Sequence, residues 1–361
     1  MGVASKGSPH ITRFRLRQLR LALIVPPTYS HLKLRLLLMK KISRRTFVNR
    51  SALSLASLSA VTASLTPLKM SAQLAPGMTI DLTPGAIGVN TSRPIELNAL
   101  AAKHGFTSVA PNLTGLAAMS DSQRGELVAQ MKSQGLSWGT AGCPVSIRDS
   151  AEDYREQLAQ LPKLSKVLTS VGGTRMNTYI PPSSRTETYL SNFKRWSTRL
   201  KEVAAILEDN GQRIGLEYIG THTLLVRGKY PFIHTMAETK DLIADTGASN
   251  IGFVLDSWHW WQAGDSVADI ASLSGDQIIA VDLNDAPKGV EKKAQIDSQR
   301  ELPVATGVID ASSFLNTIKE TGFDGPVRAE PFNAPLNRMD DDAACAATAE
   351  SLKKAFQLIK G

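Results

Sequence analysis

Four short apolar runs in the second half of the chain each end in an acidic residue. The runs are 214–217, 252–256, 279–282 and 326–330. Aliphatic runs of this length are typical of strands buried in a parallel sheet, and α/β folds bind ligands at the C-terminal ends of such strands. Carboxylates that meet there repel one another unless a divalent cation or shared protons intervene. The pattern therefore predicts a metal site formed by Glu217, Asp256, Asp282 and Glu330.

Two of these acidic residues have informative neighbours. Glu217 lies among apolar residues, where it is costly to bury unless it is bound to a metal or paired with an arginine from a neighbouring strand. Asp256 precedes His259 by three residues, so the two side chains share one side if the chain turns helical there. His259 is therefore a candidate catalytic or substrate-contacting residue.

Two further residues are candidates for substrate binding. Trp258 belongs to a cluster of three tryptophans that offers a stacking face for a sugar ring, although simple packing explains the cluster equally well. Arg300 is placed to orient a substrate oxygen, with a solvated loop position as the alternative. Between two nearby acids, strand alternation favours Asp282 as the ligand and Asp285 as a turn or capping residue.

Strand-like and helix-like segments alternate along the chain after residue 72. Amphipathic helical patterns lie between the predicted strands, and glycine follows many of them, as helix C-termini prefer. Eight strands and eight helices predict a single (β/α)8 TIM barrel, the catalytic domain, over residues 73–361. A polar segment at 286–302 is predicted to form a loop over its mouth. The predicted strands are 86–90, 108–112, 137–145, 174–180, 213–219, 251–256, 278–283 and 327–330.

The basic character of the chain belongs to its first 72 residues. They contain 13 of the 41 Lys and Arg residues and no Asp or Glu. The whole chain has a formal net charge of +8, but residues 73–361 have 28 basic residues against 33 acidic ones. An acidic folded part argues against nucleic acid as a partner.

The leader contains a predicted export signal. Residues 43–48 read Ser-Arg-Arg-Thr-Phe-Val, which resembles the twin-arginine signature, and a weakly apolar stretch follows at 51–65. That stretch is short for a membrane span, so we expect no stable span after signal removal. Met39 begins the signal naturally, which suggests that residues 1–38 are an over-extended N-terminus. The leader predicts a periplasmic or secreted protein; a chance basic pair is the alternative.

The ordered motifs resemble those of the xylose-isomerase-like TIM barrels, which include sugar isomerases and epimerases. The resemblance covers nearly all of the chain after the leader. It implies a Mn²⁺, Mg²⁺ or Co²⁺ ion held by Glu217, Asp256 and Glu330. It also implies that the two glutamates act as an acid/base pair, that His259 contacts substrate and that Arg300 lies near substrate oxygens. The motifs are Gly-Leu-Glu217, Leu-Asp256-x-x-His259, Val-Asp282-Leu-Asn-Asp285, Arg300-x-Leu-Pro and Val-Arg-Ala-Glu330-Pro-Phe.

The chain departs from that family at one position. Where the family has histidine in its V-H-L-x-D strand, this chain has Asp282. A set of carboxylates alone favours Mg²⁺, Mn²⁺ or Ca²⁺ over Zn²⁺. The departure also leaves open that the metal binds weakly or is absent.

The resemblance implies an exported, metal-dependent isomerase or epimerase that transfers a proton next to the carbonyl of a free sugar, keto-sugar or inosose. A lyase or dehydratase with the same site, and a non-catalytic carbohydrate-binding barrel with a decayed metal site, are the alternatives. No Arg/Lys-rich phosphate cradle is evident, which argues against phosphorylated substrates. Homo-oligomer formation is left open. A zinc endonuclease is disfavoured because few histidines follow the leader: His104, His222, His234 and His259.

Overall fold

The computed structural model describes residues 77–91 and 93–360. The leader and its twin-arginine motif lie outside these residues, so export and signal cleavage stay predictions. Within the described part of the chain, no helix combines the length and the apolar character needed to cross a bilayer.

Nine parallel strands form one sheet, and two short strands form a separate antiparallel pair. In chain order the strands are β1 (Thr79–Leu82), β2 (Ser108–Val109), β3 (Ser137–Trp138), β4 (Ala141–Gly142), β5 (Arg175–Ile180), β6 (Ser183–Ser184), β7 (Arg213–Tyr218), β8 (Tyr230–Pro231), β9 (Ile251–Asp256), β10 (Ile278–Leu283) and β11 (Pro326–Ala329).

The large sheet closes into a barrel through the chain itself. Its order is β3-β2-β1-β11-β10-β9-β7-β5-β4, so β3 and β4 stand at opposite ends. These two strands are separated in sequence only by Gly139 and Thr140, so they are halves of one interrupted strand. Counting β3 and β4 as one strand, the barrel has eight parallel strands, which confirms the predicted (β/α)8 barrel.

Helices connect the strands and cover the outside of the barrel. Serine side chains cap the starts of several of them; Ser120, for example, forms a capping box with Gln123. The helices are α1 (Pro94–His104), α2 (Leu113–Ala118), α3 (Asp121–Ser133), α4 (Ala151–Ser170), α5 (Tyr189–Glu208), α6 (His222–Leu225), α7 (Met236–Thr246), α8 (Ser257–Ala263), α9 (Val267–Ala271), α10 (Ala311–Glu320) and α11 (Asp341–Phe356).

The predicted first strand, 86–90, is wrong. The first strand is β1, and Pro84 begins a short 3₁₀ helix at Pro84–Ile87. Proline lacks the N–H that a central strand needs, and it suits the first position of a helix. As a result, the sequence did not predict that Asp81 is a buried acid inside a barrel strand, β1. The strand predicted at 137–145 is also interrupted at Gly139, where a Cβ atom would clash with the Asp81 carboxylate.

Four neighbouring strands place charged residues side by side in one buried row. Asp256 is in register with Asp282, Asp282 with Arg328, and Arg328 with Asp81. Residues in register on parallel strands point to the same face. None of the four is more than 4% exposed. The barrel interior therefore contains a polar layer just below the strand ends.

Candidate active site

The structure brings the four predicted acids together. Each offers one carboxylate oxygen, and these oxygens all lie within 4.8 Å of one another. Glu217 and Asp282 lie in β7 and β10, Asp256 ends β9, and Glu330 directly follows β11. The predicted convergence of the strand ends is confirmed.

The cluster lies at the base of a cavity of about 580 Å³. Glu217, Glu330 and His259 line this cavity, as does Arg300. Arg300 belongs to the 286–302 loop, which also brings Asp297 to the cavity wall. That loop therefore covers the mouth, as the sequence predicted.

Arg300 is a buried, fixed cation rather than a solvated loop residue. It is 2% exposed, and its Nη1 donates to Asp256 Oδ2 at 2.8 Å, while its Nη2 donates to Asp297 Oδ1 at 2.7 Å. The guanidinium carbon lies 5.5 Å from the ring centroid of Trp258 and 4.9 Å from that of Phe332. Phe332 has a φ of +42°, a region that non-glycine residues rarely adopt. Charge pairing and two aromatic faces together hold the guanidinium in place.

The structure does not support Trp258 as a stacking face for substrate. Its ring is fully buried and is not among the cavity-lining side chains. The indole N–H donates to Thr221 Oγ1 at 3.1 Å, and one ring face packs beside Arg300. Trp258 therefore supports Arg300 from below, which agrees with the packing alternative.

The two aspartates of the acid cluster, Asp256 and Asp282, already accept hydrogen bonds within the protein. Arg328 binds both oxygens of Asp282, with Nη2 at 2.8 Å from Oδ2. Asp256 Oδ1 caps α8 by accepting the N–H groups of Trp258 and His259. Asp256 Oδ2 accepts from Asn284 and Arg300. The fourth predicted ligand, Asp282, thus serves as the partner of an arginine.

The two glutamates differ from the aspartates because neither glutamate side chain accepts a hydrogen bond from an arginine within the described residues. Glu217 has no arginine partner among the described residues, and its buried Oε1 has no hydrogen-bond partner there. Glu330 Oε2 lies 3.6 Å from Arg300 Nη1. Burial, reinforced by repulsion from Glu330, holds the pKa of Glu217 well above its ordinary value. Burial and repulsion from Asp282 raise the pKa of Glu330 to about 8. Glu330 therefore keeps its proton at neutral pH unless a cation replaces it, and burial favours the neutral form of Glu217 as well.

His259 is neutral in this site. Burial and the nearby Arg300 charge lower its pKa to about 3. Arginine can only donate, so the 3.0 Å contact between Arg300 Nη2 and His259 Nε2 makes Nε2 the acceptor and places the proton on Nδ1. Nε2 also lies 3.6 Å from Glu217 Oε1. His259 is thus positioned to contact a ligand but is not protonated to act as an acid.

The donor set fits a divalent metal in part. Glu217, Asp256 and Glu330 present oxygens near one another, with excess negative charge and one unbonded buried oxygen. Hard cations such as Mg²⁺ and Mn²⁺ prefer such donors. Asp282 fits less well than Asp256, because one guanidinium holds both oxygens of Asp282, whereas Asp256 accepts from an arginine through Oδ2 alone.

Sequence reasoning missed several residues of the site. Arg328 had a signal, since it is a charged residue inside an apolar run and alternates with Glu330 on one strand face. No sequence signal pointed to Asp297 or Asn284, because their contacts join separate loops and strands. Asp285 behaves as the predicted turn residue and accepts the N–H groups of Ala286, Thr306, Gly307 and Ile309.

The raised pKa of Glu330 predicts a fall in stability with rising pH. The folded protein keeps a proton on this group up to about pH 8, whereas the unfolded chain loses it near pH 4.5. Between these values the folded state binds more protons, so the free energy of unfolding decreases as pH rises. The slope is at most about 1.4 kcal/mol per pH unit for one proton.

Urea unfolding in a metal chelator from pH 6.5 to 8 measures this effect. His259 is neutral in the folded protein over that window, and its partial protonation in the unfolded chain near pH 6.5 is common to wild type and variant. We expect Glu330→Gln to flatten the profile relative to wild type. Identical slopes for the two proteins would contradict the prediction.

Comparison with known proteins agrees with this architecture. The family described as "Xylose isomerase-like TIM barrel" matches residues 99–355 of this chain, so the chain belongs to that family. An inosose isomerase from Bacillus licheniformis is 27% identical over 166 residues, which cover 44% of this chain and 55% of that protein. A 3-dehydroshikimate dehydratase from Pseudomonas aeruginosa is 28% identical over 134 residues, 37% of this chain and 20% of that protein. The chain thus spans little more than half of the first relative and a fifth of the second.

Two solved structures share the fold. A xylose isomerase domain protein from Alicyclobacillus acidocaldarius is 28% identical with a TM-score of 0.70, and the match covers 79% of this chain and all of that one. The IOLI protein, solved with a bound zinc atom, is 17% identical with a TM-score of 0.65 over 79% of this chain and 99% of its own. Relatives of this chain thus include sugar-type isomerases and a dehydratase, and one fold neighbour binds a metal.

Proposed function

We propose that this protein is an isomerase or epimerase that moves a proton next to a carbonyl group on a sugar-like substrate. The observation that carries the proposal is the pair of glutamates at the base of the cavity, Glu217, which is buried, and Glu330, which is half-buried. Their raised pKa values suit proton exchange near neutral pH, where a general acid or base works best when its pKa is close to the ambient pH.

In this reaction one glutamate, as carboxylate, takes the proton from the carbon next to the carbonyl. The electron pair moves onto the carbonyl oxygen and forms an enediol or enediolate. The other glutamate, in its acid form, returns a proton to the opposite face or to the neighbouring carbon. Arg300, fixed at the cavity wall, stabilises negative charge that develops on oxygen. Neutral His259 orients a substrate hydroxyl.

We propose Glu217, Asp256 and Glu330 as the residues that hold a divalent metal, with Mn²⁺ or Mg²⁺ favoured and Co²⁺ acceptable. When bound, such an ion supplies Lewis-acid polarisation of the carbonyl. The proposal rests on the unpaired Oε1 of Glu217 and on the excess of acids over arginines in the cluster.

Deuterium exchange tests the proposed reaction. The purified protein is incubated in D₂O with ketoses, inososes and 3-keto-glycosides, with Mn²⁺ or with chelator, and followed by NMR. We expect deuterium at a carbon next to the carbonyl of at least one compound, and faster exchange with Mn²⁺. No incorporation across the panel in either condition would overturn the proposal.

Two alternatives predict different results in that experiment. A lyase or dehydratase, supported by the dehydratase relative, would release an unsaturated product after the same proton removal. A non-catalytic carbohydrate-binding barrel, supported by the Asp282–Arg328 pair in place of a ligand, would bind sugar without exchange and without bound metal. Product analysis and metal analysis separate the three.

We also propose export by the twin-arginine route, supported by the motif at 43–48. Substituting Arg44 and Arg45 together by lysine should shift the protein from the periplasmic to the cytoplasmic fraction. An unchanged distribution would contradict export by this route.

A further inference from the structure

The cavity above the acid cluster contains two arginines that the proposed reaction does not use. Arg148 and Arg227 both line it, together with Arg300. Arg300 is ion-paired with Asp256 and Asp297. In contrast, neither Arg148 nor Arg227 forms an ion pair with any described residue. The cavity therefore has the carboxyl groups of Glu217 and Glu330 at its base and, on its walls, two guanidinium groups without an ion-pair partner among the described residues.

Arg148 is held at the cavity by an aromatic side chain. It lies in the loop after β4, and its guanidinium carbon lies 4.7 Å from the Tyr179 ring centroid. Its Nη1 donates to the Tyr179 hydroxyl. Tyr179 in β5 is in register with Glu217 in β7, so the residue that supports Arg148 stands beside the acid pair.

Arg227 lies in a loop on another part of the rim, and contacts with a neighbouring loop stabilise it. It follows α6, and the same loop continues into β8, which pairs with β6 of the preceding βα loop. Ser183 Oγ donates to the Leu224 carbonyl at 2.8 Å and ties these loops together again. The two arginines thus reach one cavity from separate, fixed loops.

Both arginines are exposed, and a neutral sugar gives neither guanidinium group a charged partner, whereas an oxyanion does. Guanidinium binds carboxylate and phosphate through paired, charge-assisted hydrogen bonds. The base of the cavity carries the carboxyl groups and its walls carry the arginines, so the anionic group lies toward the arginines and the carbonyl toward the acids. A volume of about 580 Å³ is in the usual range for a small-molecule site.

We propose that the substrate is a polyhydroxy carbonyl compound that carries an anionic group, a carboxylate or a phosphate, and that Arg148 and Arg227 select it. The requirement for a carbonyl group in the substrate rests on the proposed function, whereas the preference for an anionic group does not. Arg148 and Arg227 are therefore specificity residues of the same cavity.

Equilibrium binding to the full chain tests this inference without any need for turnover. Calorimetry compares D-fructose, which is neutral, with 5-keto-D-gluconate, a carboxylate, and D-fructose 6-phosphate. We expect at least one anionic probe to bind about tenfold or more tightly than D-fructose at low salt. The probe with the larger advantage identifies the source of the charge.

Substitutions show whether the two arginines cause the preference. Arg148→Gln and Arg227→Gln should each remove most of the advantage that the anionic probe has over D-fructose. Arg185→Gln is the matched control, because Arg185 is exposed near the same loops but does not line the cavity. It should retain the full preference.

Three results would overturn the inference: equal affinity for neutral and anionic probes, no measurable binding of either anion, or an equal loss in the Arg185→Gln control. Failure of the proposed function is distinguishable from these. Anion preference without deuterium exchange counts against the proposed reaction alone, while exchange on neutral sugars without anion preference overturns only the charge selection.

Discussion

Replacing Glu217 or Glu330 by glutamine is expected to lower the rate of deuterium exchange by about 10²–10⁴-fold, the range typical of a lost general acid or base. Glutamine keeps the shape of the side chain but cannot take or give the proton. Substrate binding should be less affected, so the loss should appear mainly in kcat. The measurement is exchange on whichever compound of the panel reacts fastest with wild type.

The same variants should fold at least as well as wild type. Glu217 is buried and Glu330 is half-buried beside other acids, and Glu217 Oε1 has no hydrogen-bond partner in the described structure. Removing a repelling charge there should leave the free energy of unfolding at pH 8 unchanged or higher, which is a stability–activity trade-off. Glu291→Gln, an exposed acid on the 286–302 loop, is the matched control and should keep full activity. Full exchange in both glutamine variants would contradict the assigned roles.

Replacing Arg328 by methionine is expected to destabilise the protein by about 3–5 kcal/mol, the usual cost of leaving a buried charge without its partner. Arg328 is 4% exposed and binds both oxygens of Asp282, which is completely buried. It also stands in register with Asp81, so a second buried acid loses its nearest cation. Urea unfolding in chelator measures the loss.

A double variant provides the control for this prediction. Asp282→Leu combined with Arg328→Met replaces the ion pair by apolar groups of similar size, which is often neutral. It should recover most of the stability, although Asp81 remains unpaired. Millimolar Mn²⁺ should stabilise Arg328→Met more than wild type, because Asp282 then becomes available as a fourth oxygen ligand. Wild-type stability in the single variant would show that the pair contributes little.

Much of the architecture followed from local patterns. Apolar runs that alternate with helical patterns predicted seven of the eight barrel strands near their true positions, and four of these runs end in an acid. The first barrel strand, Thr79–Leu82, was not predicted because it contains Asp81 and is soon followed by proline and glycine. The same logic found Glu217, Asp256 and Glu330, because a strand-end carboxylate has few other reasons to follow an apolar run.

The sequence by itself determined the barrel, the four acids at its strand ends and the loop that covers its mouth, because each depends on residues close together in the chain. Only the tertiary structure decided how the charges pair. Asp282 lies opposite Arg328, 46 residues away, and Arg300 enters the cluster between two aromatic rings. Arg148 and Arg227 reach one cavity from different loops, so the chain shows no contiguous basic motif. Charge pairing depends on the distances between charged side chains on different strands and loops. Strand register and the contacts between loops set those distances.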